Sequence, residues 1–324
     1  MKLIIQIPCF NESKTLPITL AALPRIVAGF THVEWLVVDD GSDDDTVEVA
    51  KNCGADHIVR HASNKGLAKA FMTGLDACLS RGADVIVNTD ADNQYRADDI
   101  SALVLPIVEH RAELVVGARP ISTIEHFSPI KKLLQKLGSW VVRIASSTDI
   151  PDAPSGFRAI SRSAAQQLMV FGDYTYTLET IIQAGQKDIS IASVPVRVND
   201  DLRPSRLVKS VSSYIYRSIG TIVRIFVIYR PFRFFASLGA LLFITGLLLG
   251  GRFLWLYWQG SGEGHVQSLI LAAVFLIAGF QTLLIAFVVD LLSANRKLLE
   301  DVRFKVARAS DRKRHDSNNC KSPH

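Results

Sequence analysis

Asp84-Val85-Ile86-Val87-Asn88-Thr89-Asp90-Ala91-Asp92 reads as a short apolar strand that runs out into two carboxylates. The end of a buried strand is a costly place for two negative charges unless a cation or hydrogen-bond donors answer them. A divalent metal ion is the economical answer. Alternate residues of an extended chain project to opposite sides, so the spacing predicts Asp92 as a metal ligand. Gln94 returns to the same side as a carbonyl donor, and Asp90 faces a ribose or supports the ligand from behind. A helix N-cap or a solvated turn would use the same residues, and Asp-x-Asp taken singly does not separate these readings.

The segments around it repeat the pattern. Strands are predicted at Leu3–Pro8, Val33–Asp39, Asp84–Asp90 and Leu114–Gly117, with helices after Ser13, after Asp44 and from about Ala97. This alternation predicts an α/β fold with a mostly parallel sheet. Near-continuous apolar runs such as Leu3-Ile4-Ile5-Gln6-Ile7 imply helices on both faces. Polar residues gather at the C-terminal ends of the strands, at Asn11-Glu12, Asp39-Asp40-Gly41-Ser42 and Asp90-Ala91-Asp92. In open α/β sheets that edge binds ligands. Helix capping accounts for some of the acids, notably Asp43-Asp44-Asp45, but not for three acidic strand ends on one edge. Carboxylates there can bond a nucleobase or ribose hydroxyls. Asn64-Lys65-Gly66 opens a further helix, where free N–H groups and a lysine would suit a nucleotide, although an ordinary glycine turn has the same composition.

The second half of the chain is a different object. The 324 residues carry 48% hydrophobic side chains and a mean hydropathy of +0.22, too apolar for an ordinary soluble domain and too charged for a pure membrane bundle. The excess is localised in Phe234–Gly251 and Val266–Val289, uncharged runs long enough to cross a bilayer core of ~30 Å. Before them, Arg203, Arg206, Lys209, Arg217, Arg224, Arg230 and Arg233 stand in a stretch without Asp or Glu. Polar positions recurring every three or four residues from Arg206 to Ile228 predict an interfacial amphipathic helix, so the partner of this block is membrane lipid or a lipid phosphate, not nucleic acid. The short inter-span loop has no Lys or Arg, whereas Arg296, Lys297, Arg303, Lys305, Arg308, Arg312, Lys313, Arg314 and Lys321 follow the second span. Positive-inside asymmetry puts both the large domain and the tail in the cytosol. Arg312–His324 are expected to be disordered. Gly239, Gly246, Gly250 and Gly251 offer small-residue surfaces for packing between subunits of a homo-oligomer. Cys9, Cys53, Cys78 and Cys320 are far apart, which excludes a zinc site or a disulfide framework and fits a reducing compartment. The apolar N-terminus turns polar at Asn11 and reads as a buried strand, not a signal peptide.

No G-x-G-x-x-G follows the first strand, and neither a G-x-x-x-x-G-K-[ST] loop nor a G-x-S-x-G elbow occurs, so dinucleotide oxidoreductases, P-loop NTPases and α/β-hydrolases are unsupported. Six motifs in series carry a resemblance instead: Ile7-Pro8-Cys9-Phe10-Asn11-Glu12, Val38-Asp39-Asp40-Gly41-Ser42-Asp43, Asn64-Lys65-Gly66, Asp90-Ala91-Asp92-Asn93-Gln94-Tyr95, Gly117-Ala118-Arg119 and Ser155-Gly156-Phe157-Arg158-Ala159. In order and approximate spacing they resemble family 2 glycosyltransferases, most of all the polyprenyl-phosphate branch. The resemblance implies a Rossmann-like glycosyltransferase A-type domain and a nucleotide diphosphate sugar donor, UDP- or GDP-linked, held by Pro8, Phe10, Glu12, Val38, Asp40, Asp90 and Ala91. It implies Mg2+ or Mn2+ on Asp92 and Gln94, and Arg119, Arg203 and Lys209 handling phosphates of donor and acceptor. Lys131 and Lys132 stand where the family often has an arginine. Ser155 and Arg158 are further candidates for the acceptor phosphate. The implied division is a cytosolic catalytic domain over 1–200, a basic loop and interfacial helix over 201–233, a two-helix hairpin over 234–290 and a basic tail over 291–324. The two spans match bacterial members of the inner membrane.

The chemistry points the same way. Sugar transfer from a nucleotide diphosphate needs the leaving diphosphate stabilised and a nucleophile lined up behind the anomeric carbon. A polyprenyl phosphate acceptor is already anionic and needs no strong base. Asp152 could orient such an acceptor, or take a proton if the acceptor is instead a hydroxyl of a lipid-linked or soluble glycan; an ion pair with Arg158 is the structural alternative. A non-catalytic, membrane-anchored nucleotide-sugar-binding subunit would share the donor site.

Overall fold

The computed structural model describes residues 1–120, 150–170, 176–199, 220, 223–224, 227, 231–260 and 266–319, the last segment partly by its backbone alone. It divides into two compact units, Met1–Ser218 and Ile219–His324. Apart from Gly220, Val223, Arg224 and Val227, which are helical, the expected interfacial helix lies outside the described residues.

The first unit is built on seven strands: β1 (Lys2–Cys9), β2 (His32–Asp39), β3 (His57–Arg60), β4 (Val85–Asn88), β5 (Leu114–Ala118), β6 (Arg158–Ser161) and β7 (Ile191–Pro195). They form one sheet in the order β3-β2-β1-β4-β6-β5-β7. β6 is antiparallel to β4 and β5; the remaining pairings are parallel. A single reversed strand therefore interrupts the expected parallel sheet.

β1 shows why the apolar runs are unbroken. Leu3, Ile5, Ile7 and Cys9 pack on one face with Leu16 and Leu20 of α1 (Leu16–Ala22). Ile100, Leu103 and Val104 belong to the same layer and lie on α4 (Ile100–Val108), reached through α2 (Thr46–Asn52) and α3 (Leu67–Ser80). On the opposite face Ile4 joins Leu36, Val38, Phe71 and Leu75, the last two from α3. With helices on both sides, neither side chain of an alternating pair meets water. Among the described residues the unit also has α5 (Arg162–Gln167) and α6 (Tyr176–Gln186).

The second unit contains α7 (Pro231–Trp258) and α8 (Val266–Asn319). Pro231–Trp258 and Val266–Asn295 are long and apolar enough to cross a membrane. α8 is one helix of 54 residues, so Arg312–Asn319, expected to be disordered, are helical. Nothing between Gly279 and Pro323 is a glycine or proline, and the charged segment is rich in good helix formers. Two of the four glycines singled out from the sequence, Gly239 and Gly246, pack within the chain. A Cβ on Gly239 would lie 3.0 Å from the Leu283 nitrogen, one on Gly246 2.8 Å from the Leu276 nitrogen, and one on Gly279 2.6 Å from the Phe243 nitrogen. Gly239 and Gly246 thus let α7 and α8 of the same chain touch backbone to backbone, the usual route to tight helix association in lipid.

One glycine of the first unit sets the ligand edge. Gly41 has φ of +75°, and a Cβ there would come 2.6 Å from the Ser63 carbonyl carbon, so the loop after β2 sits directly on the loop after β3. Gly41→Ala is expected to cost about 2 kcal/mol or more and lower the melting midpoint by roughly 4–8 °C in detergent. A midpoint equal to that of the native protein would contradict this packing.

Candidate active site

β4 ends at Asn88, two residues before the first aspartate. The Thr89 N–H still donates to the Gln6 carbonyl at 3.1 Å, and the chain then turns through Ala91 and Asp92 to Asn93, whose φ is +56°. Asp90 and Asp92 therefore lie in a turn, and the strand alternation that assigned them to opposite sides does not operate. Within the turn the Gln94 N–H donates to Asp92 Oδ1 at 3.1 Å, while Thr19 Oγ1 of α1 donates to the Ala91 carbonyl at 2.9 Å. Burial pushes the Asp90 carboxyl up to about 7, reinforced by Asp92 and Glu12 and opposed by Arg119 and Arg158. Five of the charged residues singled out from the sequence are thus close enough to feel one another.

The other strand ends converge on the same place. Burial raises the Cys9 thiol well above its ordinary value, and Glu12, Asp39, Asp44 and Asp90 all push in the same direction. Pro8 and Val38 are paired neighbours on β1 and β2, both buried, and Phe10 follows β1 half-buried. Glu12 Oε2 accepts from Thr15 Oγ1 at 2.6 Å, and the Glu12 N–H donates to Thr46 Oγ1 at 2.9 Å. Asn11 crosses between loops: its N–H donates to Ser42 Oγ at 2.9 Å and its side-chain oxygen accepts from the Asp43 N–H at 2.9 Å.

Asp40 ties two loops together. Its Oδ1 lies 2.7 Å from His61 Nδ1 and accepts from the Lys65 N–H at 2.9 Å; its Oδ2 accepts from the Gly66 N–H at 2.8 Å. The Asn64-Lys65-Gly66 turn is therefore tied to the end of β2 and starts α3 there.

Arg119 stands directly after β5. Its Nε and Nη2 donate to the two oxygens of Asp152 at 2.7 and 3.0 Å, and its backbone N–H adds a third bond to Asp152 at 3.2 Å. Asp152 is fully buried while Arg119 keeps 17% of its side chain exposed. The ion pair of Asp152 is thus with Arg119, and not with Arg158 as the structural alternative had it. Arg158 turns inward, donating to the Ser155 carbonyl and the Ala153 carbonyl, each at 2.8 Å, and to Thr180 Oγ1. Burial pushes its pKa down to about 10. Arg158 and Ser155 are both fully buried, so neither is placed to touch an acceptor phosphate, the role they were candidates for. Lys131, Lys132, Arg203 and Lys209 lie outside the described residues.

Sequence reading missed the polar frame behind the turn. Asn88 Nδ2 donates to the Gly156 carbonyl at 2.8 Å and to the Tyr176 hydroxyl at 2.9 Å, and Gln6 Nε2 donates to Asn88 Oδ1 at 2.8 Å. The Gly156 N–H donates to the Tyr95 hydroxyl at 3.2 Å. Gly156 has no room for a side chain: a Cβ would lie 3.0 Å from Asp90 Oδ2 and 2.9 Å from the Tyr176 hydroxyl. Gln6 and Asn88, polar interruptions in two apolar strands, were the available signal.

Among the described residues no three His, Cys, Asp or Glu side chains group as a metal site. The expected ligands offer hard oxygens, the Asp92 carboxylate and the Gln94 amide oxygen, with Asp90 two residues before. Such a set fits Mg2+ or Mn2+ with its coordination completed by substrate phosphates, and does not suit a self-sufficient protein cage.

Comparison with known proteins bears on the family and the fold. Relatives include UDP-N-acetylglucosamine--dolichyl-phosphate N-acetylglucosaminyltransferase of Methanococcus voltae, 30% identical over 213 residues, covering 59% of this chain and 83% of that protein. Polyprenol monophosphomannose synthase of Mycolicibacterium smegmatis is 29% identical over 204 residues, 60% of this chain and 76% of that protein. In fold, the chain resembles glucosyl-3-phosphoglycerate synthase from Mycobacterium tuberculosis, crystallised with Mn2+, UDP-glucose and phosphoglyceric acid, at a TM-score of 0.56 and 20% identity over 70% of this chain and 78% of that one. Residues 4–169 match the family model described as Glycosyl transferase family 2, just over half of the chain, and the chain belongs to that family.

Proposed function

We propose that this chain transfers a sugar, with inversion, from a UDP- or GDP-linked donor to a polyprenyl phosphate at the cytosolic face of a membrane, the bacterial inner membrane by the resemblance of its two spans. The observation that carries this reading is geometric: the Asp90-Ala91-Asp92 segment follows β4 and Arg119, fixed on Asp152 by a bidentate bond, follows β5 at the same end of the sheet, and Asp90 feels both Asp92 and Arg119. The names of the relatives from Methanococcus voltae and Mycolicibacterium smegmatis support a polyprenol-type lipid acceptor.

In this reaction Asp92 and Gln94 would hold Mg2+ or Mn2+, which supplies positive charge to the departing diphosphate. Pro8, Phe10, Glu12, Val38, Asp40, Asp90 and Ala91 line the donor site, with the Asp40 brace keeping the loops after β2 and β3 in register. Asp152 fixes the plane of Arg119 by a bidentate bond, so that the arginine's outer edge addresses phosphate without reorganising. Arg203 and Lys209 add charge for the acceptor phosphate, and the two apolar helices keep the protein where that lipid is.

A hydroxyl acceptor would need a base. Asp152, the residue best suited from sequence, is occupied by three Arg119 donors, which favours the anionic acceptor that needs none. A non-catalytic binding subunit remains the other reading, and a lipid-extraction assay with undecaprenyl phosphate and a panel of UDP- and GDP-sugars separates the three. Labelled product should enter organic solvent only when the lipid phosphate is added; transfer to a glycan hydroxyl, or binding without product, would reject the proposal.

Asp92→Ala is expected to lower turnover at least about 100-fold, a result that full activity would overturn. Arg119→Lys should lose more than a simple charge role allows, about tenfold or more in kcat/KM, because the planar fork on Asp152 goes with it. A carboxyl raised to about 7 in the fold favours stability at low pH, and that contribution is lost as pH climbs from about 4 through 7. With EDTA and no nucleotide, Asp90→Asn should therefore melt higher than the native protein at pH 8, and the gap should close toward pH 5. A gap independent of pH would remove Asp90 as its source.

A further inference from the structure

Beyond β7 the chain doubles back along the metal turn. Tyr95 and Val198 form an antiparallel bridge, and the Arg96 N–H donates to the Arg197 carbonyl at 3.3 Å. Arg197 is anchored in turn on Asp99, through its backbone N–H at 2.6 Å and its guanidinium at 2.6 and 3.0 Å. At the end of this segment one residue makes two contacts to adjacent peptide groups of the turn. The Asn199 N–H donates to the Gln94 carbonyl at 2.8 Å, and Asn199 Nδ2 donates to the Asn93 carbonyl at 2.8 Å.

We propose that Asn199 is a positioning residue for the divalent-cation and diphosphate site, acting through Asn93 and Gln94. The inference rests on the reading of Asp92 and Gln94 as cation ligands. With the carbonyls of Asn93 and Gln94 both fixed, the peptide plane between them cannot rotate. That plane carries the Gln94 N–H bonded to Asp92 Oδ1, so the carboxylate and the Gln94 side chain are aimed by it. Asn93 sits at φ +56°, a conformation that an asparagine adopts at some cost and that an external bond stabilises. The turn is gripped at its other end by Thr19 on the Ala91 carbonyl. Any residue but proline at 199 can donate the backbone bond to Gln94, but the bond to Asn93 needs a side-chain N–H of this reach. Because Arg197 and Asp99 anchor the segment independently, loss of the Asn199 amide alters the aim of the turn and leaves its support in place.

The test uses the full chain in detergent micelles, with Mn2+ binding followed by electron paramagnetic resonance, alone and with UDP or GDP, and steady-state turnover measured against Mn2+ concentration. Asn199→Asp, which keeps shape but sets an oxygen against the Asn93 carbonyl, and Asn199→Ala, which adds no charge, should each weaken Mn2+ binding 10- to 100-fold. Their KM for the metal should rise while kcat at saturating Mn2+ stays near native. If Asp92→Ala abolishes Mn2+ binding but both Asn199 variants remain within twofold of native, the inference fails and the assignment of the cation site survives. If Asp92→Ala also binds Mn2+ like the native protein, the assignment fails and takes the inference with it. Loss of cooperative melting in both Asn199 variants would make the residue part of the folding core and overturn the positioning role.

Discussion

Carboxylates withdrawn from water must be matched by donors or cations, and the way each is matched organises the C-terminal edge of this sheet. Asp39 accepts from the Ser42 N–H at 3.1 Å and lies 3.1 Å from Arg60 Nε. Asp40 takes two backbone N–H groups and His61. Asp152 takes three donors from Arg119. Each match closes a loop: after β2, between β3 and α3, and after β5. Asp90 differs. Its carboxyl is raised to about 7, the mark of a negative charge that the protein alone does not fully compensate. Perturbed groups of this kind gather where ligands bind.

The frame behind Asp90 explains why the burden falls there. Gln6 and Asn88 are register partners on β1 and β4, and their amides link through the Gly156 carbonyl to Tyr176. The Ser155–Gly156 turn is pressed against Asp90 by this network, and a glycine is the residue that lets it approach. Tyr95 stacks on Phe157 with centroids 5.0 Å apart, and Tyr176 on Phe71 at 4.0 Å, so the frame is rigid on both sides of the sheet. A rigid frame keeps the uncompensated charge from relaxing away before a ligand arrives.

Much of this was legible in the residues, for identifiable reasons. β1, β2, β4 and β5 are buried on both faces, so their apolar runs are continuous and easy to read. β3 and β6 are four residues each, and β6 begins with Arg158, a buried guanidinium that any hydropathy pattern counts as surface. Asp90, Asp92 and Asp152 were picked out by type and position, and Arg119 through the family resemblance. The partner of Asp152 was not, because Arg158 is six residues away in sequence and Arg119 thirty-three, and only the fold reverses that order. The grip of Asn199 on Asn93 spans 106 residues and left no trace in local pattern. In the second unit, length and composition sufficed for the two apolar helices, whereas the backbone contacts at Gly239, Gly246 and Gly279 needed coordinates to tell packing within a chain from packing between chains.

Charge balance links these observations to the proposed chemistry. Glu12, Asp90, Asp92 and Asp152 face the guanidiniums of Arg119 and Arg158 around one turn, and Arg158 is sealed inside. Arg119 is already half of an ion pair, so its attraction for phosphate is directional more than it is a net charge. A nucleoside diphosphate would add further negative charge to a site where, among the described residues around the turn, these carboxylates outnumber the two guanidiniums. Repulsion on that scale, in surroundings drier than water, would exclude the donor unless a cation came with it. In the proposed reaction the acidic turn and the anionic substrate would therefore share one ion, neither being a good site for it without the other. That mutual dependence is what makes a two-carboxylate turn, too poor to hold a metal as a structural cage, suited to one that arrives and leaves with the nucleotide.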